Sequence, residues 1–271
     1  MGGEQILSVT KWVNWLLGKP AGQLMGLLHV QSGNPAYPIS NFFAMELVVF
    51  AFSIVFFLWL KRRLSAERPG ATQQCMELLL TNPMGMGVKD LVDDIIGHGG
   101  ERHLPLMGSI GIFILLCNLV ALIPGFMSPT AEITVPLACA VVVFLYYHWN
   151  GIRHHGSFGY AKTFMGPVLG ISPLMVVIET FSHFARILSL TVRLWANMLV
   201  SELIYVTFLG LTMGLYIFAV HFNPAGYISG IFPIGIPLAL ELFHVFEAIL
   251  QAFIFTILSV IYLGLAVSEE H

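Results

Sequence analysis

The sequence predicts an all-α polytopic membrane protein, and three observations carry that reading. Of its 271 residues, 57% are hydrophobic and only 10% charged, and mean hydropathy is +0.83. A water-soluble globular chain carries about 25% charged residues. Several apolar stretches approach or exceed the roughly 20 residues that cross a hydrocarbon core of about 30 Å. Lysine and arginine concentrate after the first and third of these stretches, as they do in cytoplasmic loops. No basic block suggests nucleic acid, and the formal charge of −3 decides nothing.

Residues 1–41 mix two short apolar runs, Ile6–Leu17 and Leu24–Val30, with Gly, Asn and Pro. Neither run is long enough to span, which predicts an extracytoplasmic segment lying on the membrane surface. No signal-peptide pattern is visible, so residue 1 is expected to remain. Phe42–Leu60 is the first clear span, with one charge, Glu46, near its start. It ends in Lys61-Arg62-Arg63, followed by Arg68, which sets that end in the cytoplasm and the N-terminus outside.

Residues 71–103 set Glu77, Lys89, Asp90, Asp93, Asp94, Glu101 and Arg102 among helix formers. They predict an amphipathic cytoplasmic helix, broken near Asn82-Pro83. Leu104–Ile123 is the second span and stops at Pro124-Gly125. A turn over Phe126–Ala131 leads to the third span, Glu132–Trp149, where Glu132 fits a helix start. A loop with Arg153, His154, His155 and Lys162 is expected next, so that residues 42–170 hold three spans. Of twelve Lys and Arg, eight then lie on the cytoplasmic side: Lys61, Arg62, Arg63, Arg68, Lys89, Arg102, Arg153 and Lys162. Lys11 and Lys19 lie outside, and Arg186 and Arg193 fall within the membrane.

From Ile171 to Val220 the chain stays apolar with no proline after Pro173. A straight helix of that length would measure about 75 Å. Hydropathy leaves two readings: a hairpin with a hidden turn, or one strongly tilted helix. Residues 221–235 read as a turn, and Ile236–Val267 is a second overlong apolar run before the tail Ser268-Glu269-Glu270-His271.

The chemistry lies in the polar residues of these last segments. Glu179, Arg186 and Arg193 are seven residues apart and share one helix face, with Ser182 and Ser189 beside them. Asn197 sits one turn beyond Arg193. An arginine at mid-membrane costs a few kcal/mol on insertion scales and roughly 10–17 in simulations of a lone helix. It also keeps its proton at any physiological pH. Arg193 is therefore expected to act as a fixed positive charge and not as a proton relay. Arg186 with Glu179 fits equally well a pair that holds helices together, and Ser182 and Ser189 could bond their own backbone. Glu46 and His183 are read as structural.

The final run carries Glu241, His244 and Gln251 on one stripe, with Glu247 one turn from both His244 and Gln251. Glutamates and a histidine facing one way can hand protons along, and Glu202 would extend that path. His244 alternatively fits a satisfied core histidine. A fixed cation among groups that exchange protons suits ion translocation better than bond chemistry.

Two other classes are weighed. Glu241-x-x-His244 has the spacing of a di-iron helical bundle, but no second such element lies in a membrane segment. Cys75, Cys117 and Cys139 have no metal spacing. No metal, cofactor or nucleotide site is expected. A secondary transporter, with an ion or substrate held at the intramembrane arginine, is the more serious rival. The lack of an internal repeat weighs against it.

The stretch L-S-L-T-V-R-L-W-A-N-M-L-V-S-E-L-I resembles the signature of the a subunits of F-type ATP synthases, close to S-L-x-x-R-L-F-x-N-x-x-x-G-E-L. Trp195 stands where phenylalanine is usual, and Ser201 where glycine is. N-L-V-A-L-I-P-G-F followed by S-P-T-A-E, then H-x-x-x-x-x-x-Q-A-F-I-F at 244–255, and the ending L-A-V-S-E-E-H are similar to other parts of that family, the last to its proteobacterial members. The similarity covers roughly residues 40–271.

The resemblance implies about five membrane-embedded helices plus an amphipathic interfacial one. The last two, within 171–271, would be long and tilted and would form the proton path. It implies a non-catalytic stator in a bacterial inner membrane, with a periplasmic N-terminus and a cytoplasmic C-terminus. Expected partners are the c-ring rotor, b-type peripheral stalk subunits, the rest of the complex and membrane lipid. Protons would be taken up past Glu241, Glu247, His244 and Glu202 and released past Glu179, Ser182 and Ser189. Asn197 and Gln251 would hold or solvate Arg193. ATP chemistry would belong to other subunits.

Overall fold

The computed structural model describes residues 8–27, 37–64, 69–71, 73–74, 77, 88–97, 100–123, 126–165, 172–222 and 235–267. Its regular elements are helices: α1 (Ser8–Leu27), α2 (Asn41–Arg63), α3 (Val88–Ile96), α4 (Leu104–Val120), α5 (Thr134–Thr163), α6 (Ser172–Phe222) and α7 (Gly235–Val267). Short 3-10 turns stand at Gly100–His103 and Pro129–Ala131. Among the described residues five helices are long and apolar enough to cross a membrane, namely α2, α4 with its preceding turn, α5, α6 and α7.

The helix starts follow from local chemistry. Pro105, Pro136, Pro173 and Pro237 stand in the first turns of α4, α5, α6 and α7. A missing N–H is harmless there, because first-turn amides have no intrahelical partner. Ser40 opens α2, its hydroxyl accepting the Phe43 N–H at 3.2 Å.

The chain forms two compact units. One is built from residues 1–55, 116–132 and 197–248, the other from 56–115, 133–196 and 249–271. In the first, α1 docks on the start of α2. Val13, Ile39 and Ala44 form a small core with Val9, Ala21, Leu47 and Val48 around it. Asn14 pins it: its amide donates to the Ile39 carbonyl at 3.0 Å and its carbonyl accepts the Ile39 N–H at 3.0 Å. Of the two short runs read in residues 1–41, the described parts lie in one helix, α1, from Ser8 to Leu27 with Pro20 inside it.

The second unit packs helices through small residues. A Cβ on Gly111 would collide with Thr256, one on Gly264 would lie 2.5 Å from Ile95 Cγ2, and one on Gly151 3.1 Å from the Ala266 carbonyl. Such close backbone approach is how helices adhere where lipid removes the hydrophobic drive. Met107, Ile114, Val143, Tyr147, Leu194 and Leu263 fill the space between.

Several expectations need correction. The third span does not stop at Trp149. Helix α5 runs on to Thr163, so Arg153, His154 and His155 are helical, and the chain bends at Gly156 with φ 72° and ψ 162°. That left-handed φ favours glycine. Glu132 is not in the first turn of α5; its N–H closes the preceding 3-10 turn on the Pro129 carbonyl at 3.2 Å. Of the amphipathic helix expected over 71–103, the described residues 71, 73, 74 and 77 are helical and α3 covers Val88–Ile96. The break at Asn82-Pro83, the stop at Pro124-Gly125 and residues 223–234 lie outside the described residues.

The overlong segment is one unbroken helix of 51 residues, which decides for the single-helix reading over the hairpin. At 1.5 Å per residue it is about 76 Å long, so it cannot stand upright in a core of about 30 Å. Only 11% of its most apolar window is buried within the chain, against 50% for α7. Helix α6 thus leaves most of its apolar surface uncovered by this chain.

Candidate functional site

The expected site residues fall into two groups, one in each unit. In the unit containing residues 197–248, neighbouring residues of α6 supply two contacts. Ser201 donates its hydroxyl to the Glu247 carboxylate of α7. The Glu202 carboxylate, half-buried, accepts the Ser128 N–H at 3.4 Å. The Ser128 hydroxyl lies 2.7 Å from the Thr130 hydroxyl and 3.2 Å from the Cys117 carbonyl, and its one proton serves one of the two. The Thr130 hydroxyl donates to the Asn118 side-chain oxygen, and the Asn118 amide reaches the Ala248 carbonyl at 3.4 Å. A continuous polar strand therefore links Glu202 to α4 and α7.

Three of its members, Asn118, Ser128 and Thr130, are almost fully buried, where an unpaired polar group would cost about 1–3 kcal/mol. Sequence reasoning did not single them out as site residues. The signal was present, since Asn118 and S-P-T lie in stretches quoted for the family resemblance. His244 is 5% exposed, and its Nε2 is buried without a hydrogen-bond partner among the described residues. Glu241 is half-buried on the same helix, and Asn197 is half-buried on α6.

In the unit containing residues 133–196, the two arginines of α6 are treated differently. Arg186 is held: Nη2 lies 3.6 Å from Glu179 Oε1, and the guanidinium sits 5.4 Å over the Tyr262 ring. Glu179 also approaches His183 Nε2 at 3.4 Å. His183, read from sequence as structural, is the hub of an aromatic cluster. Its Nδ1 meets the Tyr147 hydroxyl at 2.9 Å, and its ring lies 4.8 Å from His148 and 4.9 Å from Phe164.

Arg193, one heptad further, is exposed and has a single side-chain contact among the described residues. Its Nη2 donates to Ser189 Oγ at 3.4 Å. Ser182 is half-exposed on this segment, and Gln251 is buried in α7. Among the described residues no group of three His, Cys, Asp or Glu is arranged to hold a metal ion.

These features define a helical multi-pass membrane protein with ionisable side chains set in its spans. Charges in such places mark ion and proton pathways. The chain belongs to the family described as ATP synthase A chain, which matches residues 43–264. It is 38% identical to the ATP synthase subunit a of Koribacter versatilis over 262 residues, covering 97% of either chain. The ATP synthase subunit a of Solibacter usitatus is 39% identical over 236 residues, 87% of this chain and 91% of the relative. That of Geotalea uraniireducens is 38% identical over 203 residues, 75% and 77% of the two chains.

Proposed function

We propose that this protein is the stator a subunit of the membrane sector of an F-type ATP synthase, offering two proton half-channels to a ring of c subunits. Residues 171–271 carry the path, residues 42–170 frame it, and residues 1–41 lie outside the cytoplasm. An odd number of spans with an outside N-terminus gives a cytoplasmic C-terminus. The b-type stalk subunits hold the protein still in the bacterial inner membrane.

The reading rests above all on the contrast between the two arginines. Arg186 is neutralised by Glu179 at 3.6 Å, whereas Arg193 stands on an exposed stretch of α6 with only Ser189 beside it among the described residues. A permanent cation on an uncovered apolar helix needs an anion from outside the chain. A rotor carboxylate meets that need. Protonated, the carboxyl enters lipid cheaply; ionised, it does not. Facing Arg193 it is held ionised, because an opposite charge favours the charged form.

Uptake runs past Glu241, His244, Glu247 and Glu202, with Ser201, Ser128, Thr130 and Asn118 as polar wall. Release runs past Glu179, Ser182 and Ser189. Asn197, one turn on from Arg193 in α6, and Gln251 act on the arginine through water, since Ser189 is its one side-chain hydrogen-bond partner among the described residues. Arg193 also blocks protons from leaking directly between half-channels, since it repels them and cannot be neutralised. Each charge crossing 100 mV yields about 2.3 kcal/mol, so several sum to one ATP, made in other subunits.

The test is Arg193→Ala in the assembled complex. ATP-driven proton pumping into membrane vesicles falls to background while the complex still assembles; coupled pumping that survives refutes the role. Cysteines at the exposed positions Leu188 and Ile204 should cross-link to the carboxylate-bearing helix of a rotor subunit and block pumping.

A further inference from the structure

A second charged site, lined by none of the residues assigned to the proton path, lies in the unit built from residues 56–115, 133–196 and 249–271. A cavity of about 520 Å³ is lined by Arg102, His103, Tyr146, Trp149, Asn150, Arg153 and His154. Five of these are one face of α5, since positions 146, 149, 150, 153 and 154 are spaced i, i+3, i+4, i+7 and i+8. The other two are the residues immediately before α4.

The lining holds two guanidiniums, two imidazoles, a phenol, an amide and an indole, and no carboxylate. The nearest acid in sequence, Glu101, is turned to Lys89 at 3.3 Å. Neither Arg102 nor Arg153 has a carboxylate within ion-pair distance among the described residues. The wall is braced rather than loose. Arg102 Nε donates to His103 Nε2 at 3.0 Å, so the neutral imidazole carries its proton on Nδ1 and directs it to the Tyr146 hydroxyl at 2.8 Å. Asn150 is anchored on the Tyr146 carbonyl at 2.8 Å.

Two unpaired guanidiniums around one cavity match the oxygens of a phosphate ester, which they bind in forked geometry. The source of that phosphate is indicated by the surroundings. Below the basic residues, α5 carries an exposed apolar stripe of Val142, Leu145, Trp149 and Ile152, with Trp149 65% exposed. Indole rings settle at headgroup depth, and basic pockets between spans take anionic headgroups.

We infer that this cavity binds the phosphodiester headgroup of an anionic phospholipid, held by Arg102 and Arg153, with an acyl chain along the Val142–Leu145–Trp149 stripe. The site needs only a membrane-embedded chain and does not rest on the motor assignment.

The test uses the whole assembled complex in native-lipid vesicles with a photoactivatable phosphatidylglycerol, mapping the labelled peptides. The expected result is labelling concentrated on residues 142–154. Each guanidinium at a charged surface contributes about fivefold, so Arg102→Gln/Arg153→Gln labels about twenty-five-fold less. Lys162→Gln, an exposed cation outside the cavity, labels as the wild type does. Should the double variant fail to assemble, Arg153→Gln alone must show the fivefold loss. Equal labelling by a phosphatidylcholine probe, no change on removing the arginines, or no labelling there overturns the inference. So does displacement by millimolar inorganic phosphate, which would make the cavity a site for soluble phosphate.

Discussion

The Glu179–Arg186 pair allows a sharp test of which arginine serves structure. Replace Arg186 with Gln. Among the described residues Glu179 then keeps only His183, at 3.4 Å, and loses its cation at 3.6 Å. Breaking a fully buried pair costs about 3–5 kcal/mol and an exposed one at most about 1. The two side chains are 22% and 35% exposed, which places the pair between those limits, and a loss of about 2 kcal/mol is expected. For a chain of this size that is roughly 4–8 °C in Tm. Glu179→Gln leaves no stranded anion once Arg186 is also Gln, so the double variant should recover about 1–2 kcal/mol relative to the sum of the single changes. Thermal denaturation of the detergent-solubilised complex, followed by aggregation of this chain, measures all four corners of the cycle. Strict additivity refutes the pairing. Loss of proton pumping in a fully assembled, normally stable Arg186→Gln complex would refute the division of labour between Arg186 and Arg193.

Other consequences can be checked separately. His244→Ala should slow proton uptake in ATP-driven pumping several-fold while the complex still assembles; an unchanged rate makes the buried imidazole a packing residue. Gly264→Val should remove much of the assembled protein, because its Cβ would lie 2.5 Å from Ile95 Cγ2 and 3.3 Å from the Ile95 carbonyl. Overpacking of this kind costs about 1–3 kcal/mol, whereas Gly210→Val, with open space around it, should be tolerated. Asn14→Ala strands a buried N–H and carbonyl at Ile39, at about 1–3 kcal/mol each. Faster hydrogen exchange at the Ile39 amide and along α1 is the readout, and unchanged exchange would show that Asn14 does not hold the segment.

The spans were legible because lipid demands length and apolarity together, and Phe42–Leu60 and Leu104–Ile123 offer both. The end of α5 was not. Arg153, His154 and His155 look like loop by charge, yet all three are helical, and Arg153 and His154 line a cavity. Gly156 hid the remainder, since a bend and a break leave the same mark in sequence. The length of α6 was plain, but hydropathy has no term that separates a tilted helix from a folded one.

The charged members of the candidate site stood out for the same reason that makes them costly: each is anomalous in an apolar run. Ser128, Thr130 and Asn118 are cheap to place and so went unremarked, although they connect Glu202 to its surroundings. Ser201 was noticed only as a departure from glycine. Its hydroxyl proves to be the donor that Glu247 uses.

The length of α6 has a consequence for how depth is measured along it. If about 76 Å of helix is fitted into about 30 Å of hydrocarbon, each residue climbs only about 0.6 Å toward the far surface. Glu179 and Arg193 are then separated by about 21 Å sideways along the rod but by only about 8 Å of depth. The helix behaves less like a pillar than like a gently inclined rail. Groups spaced along it differ far more in their place in the membrane plane than in their depth.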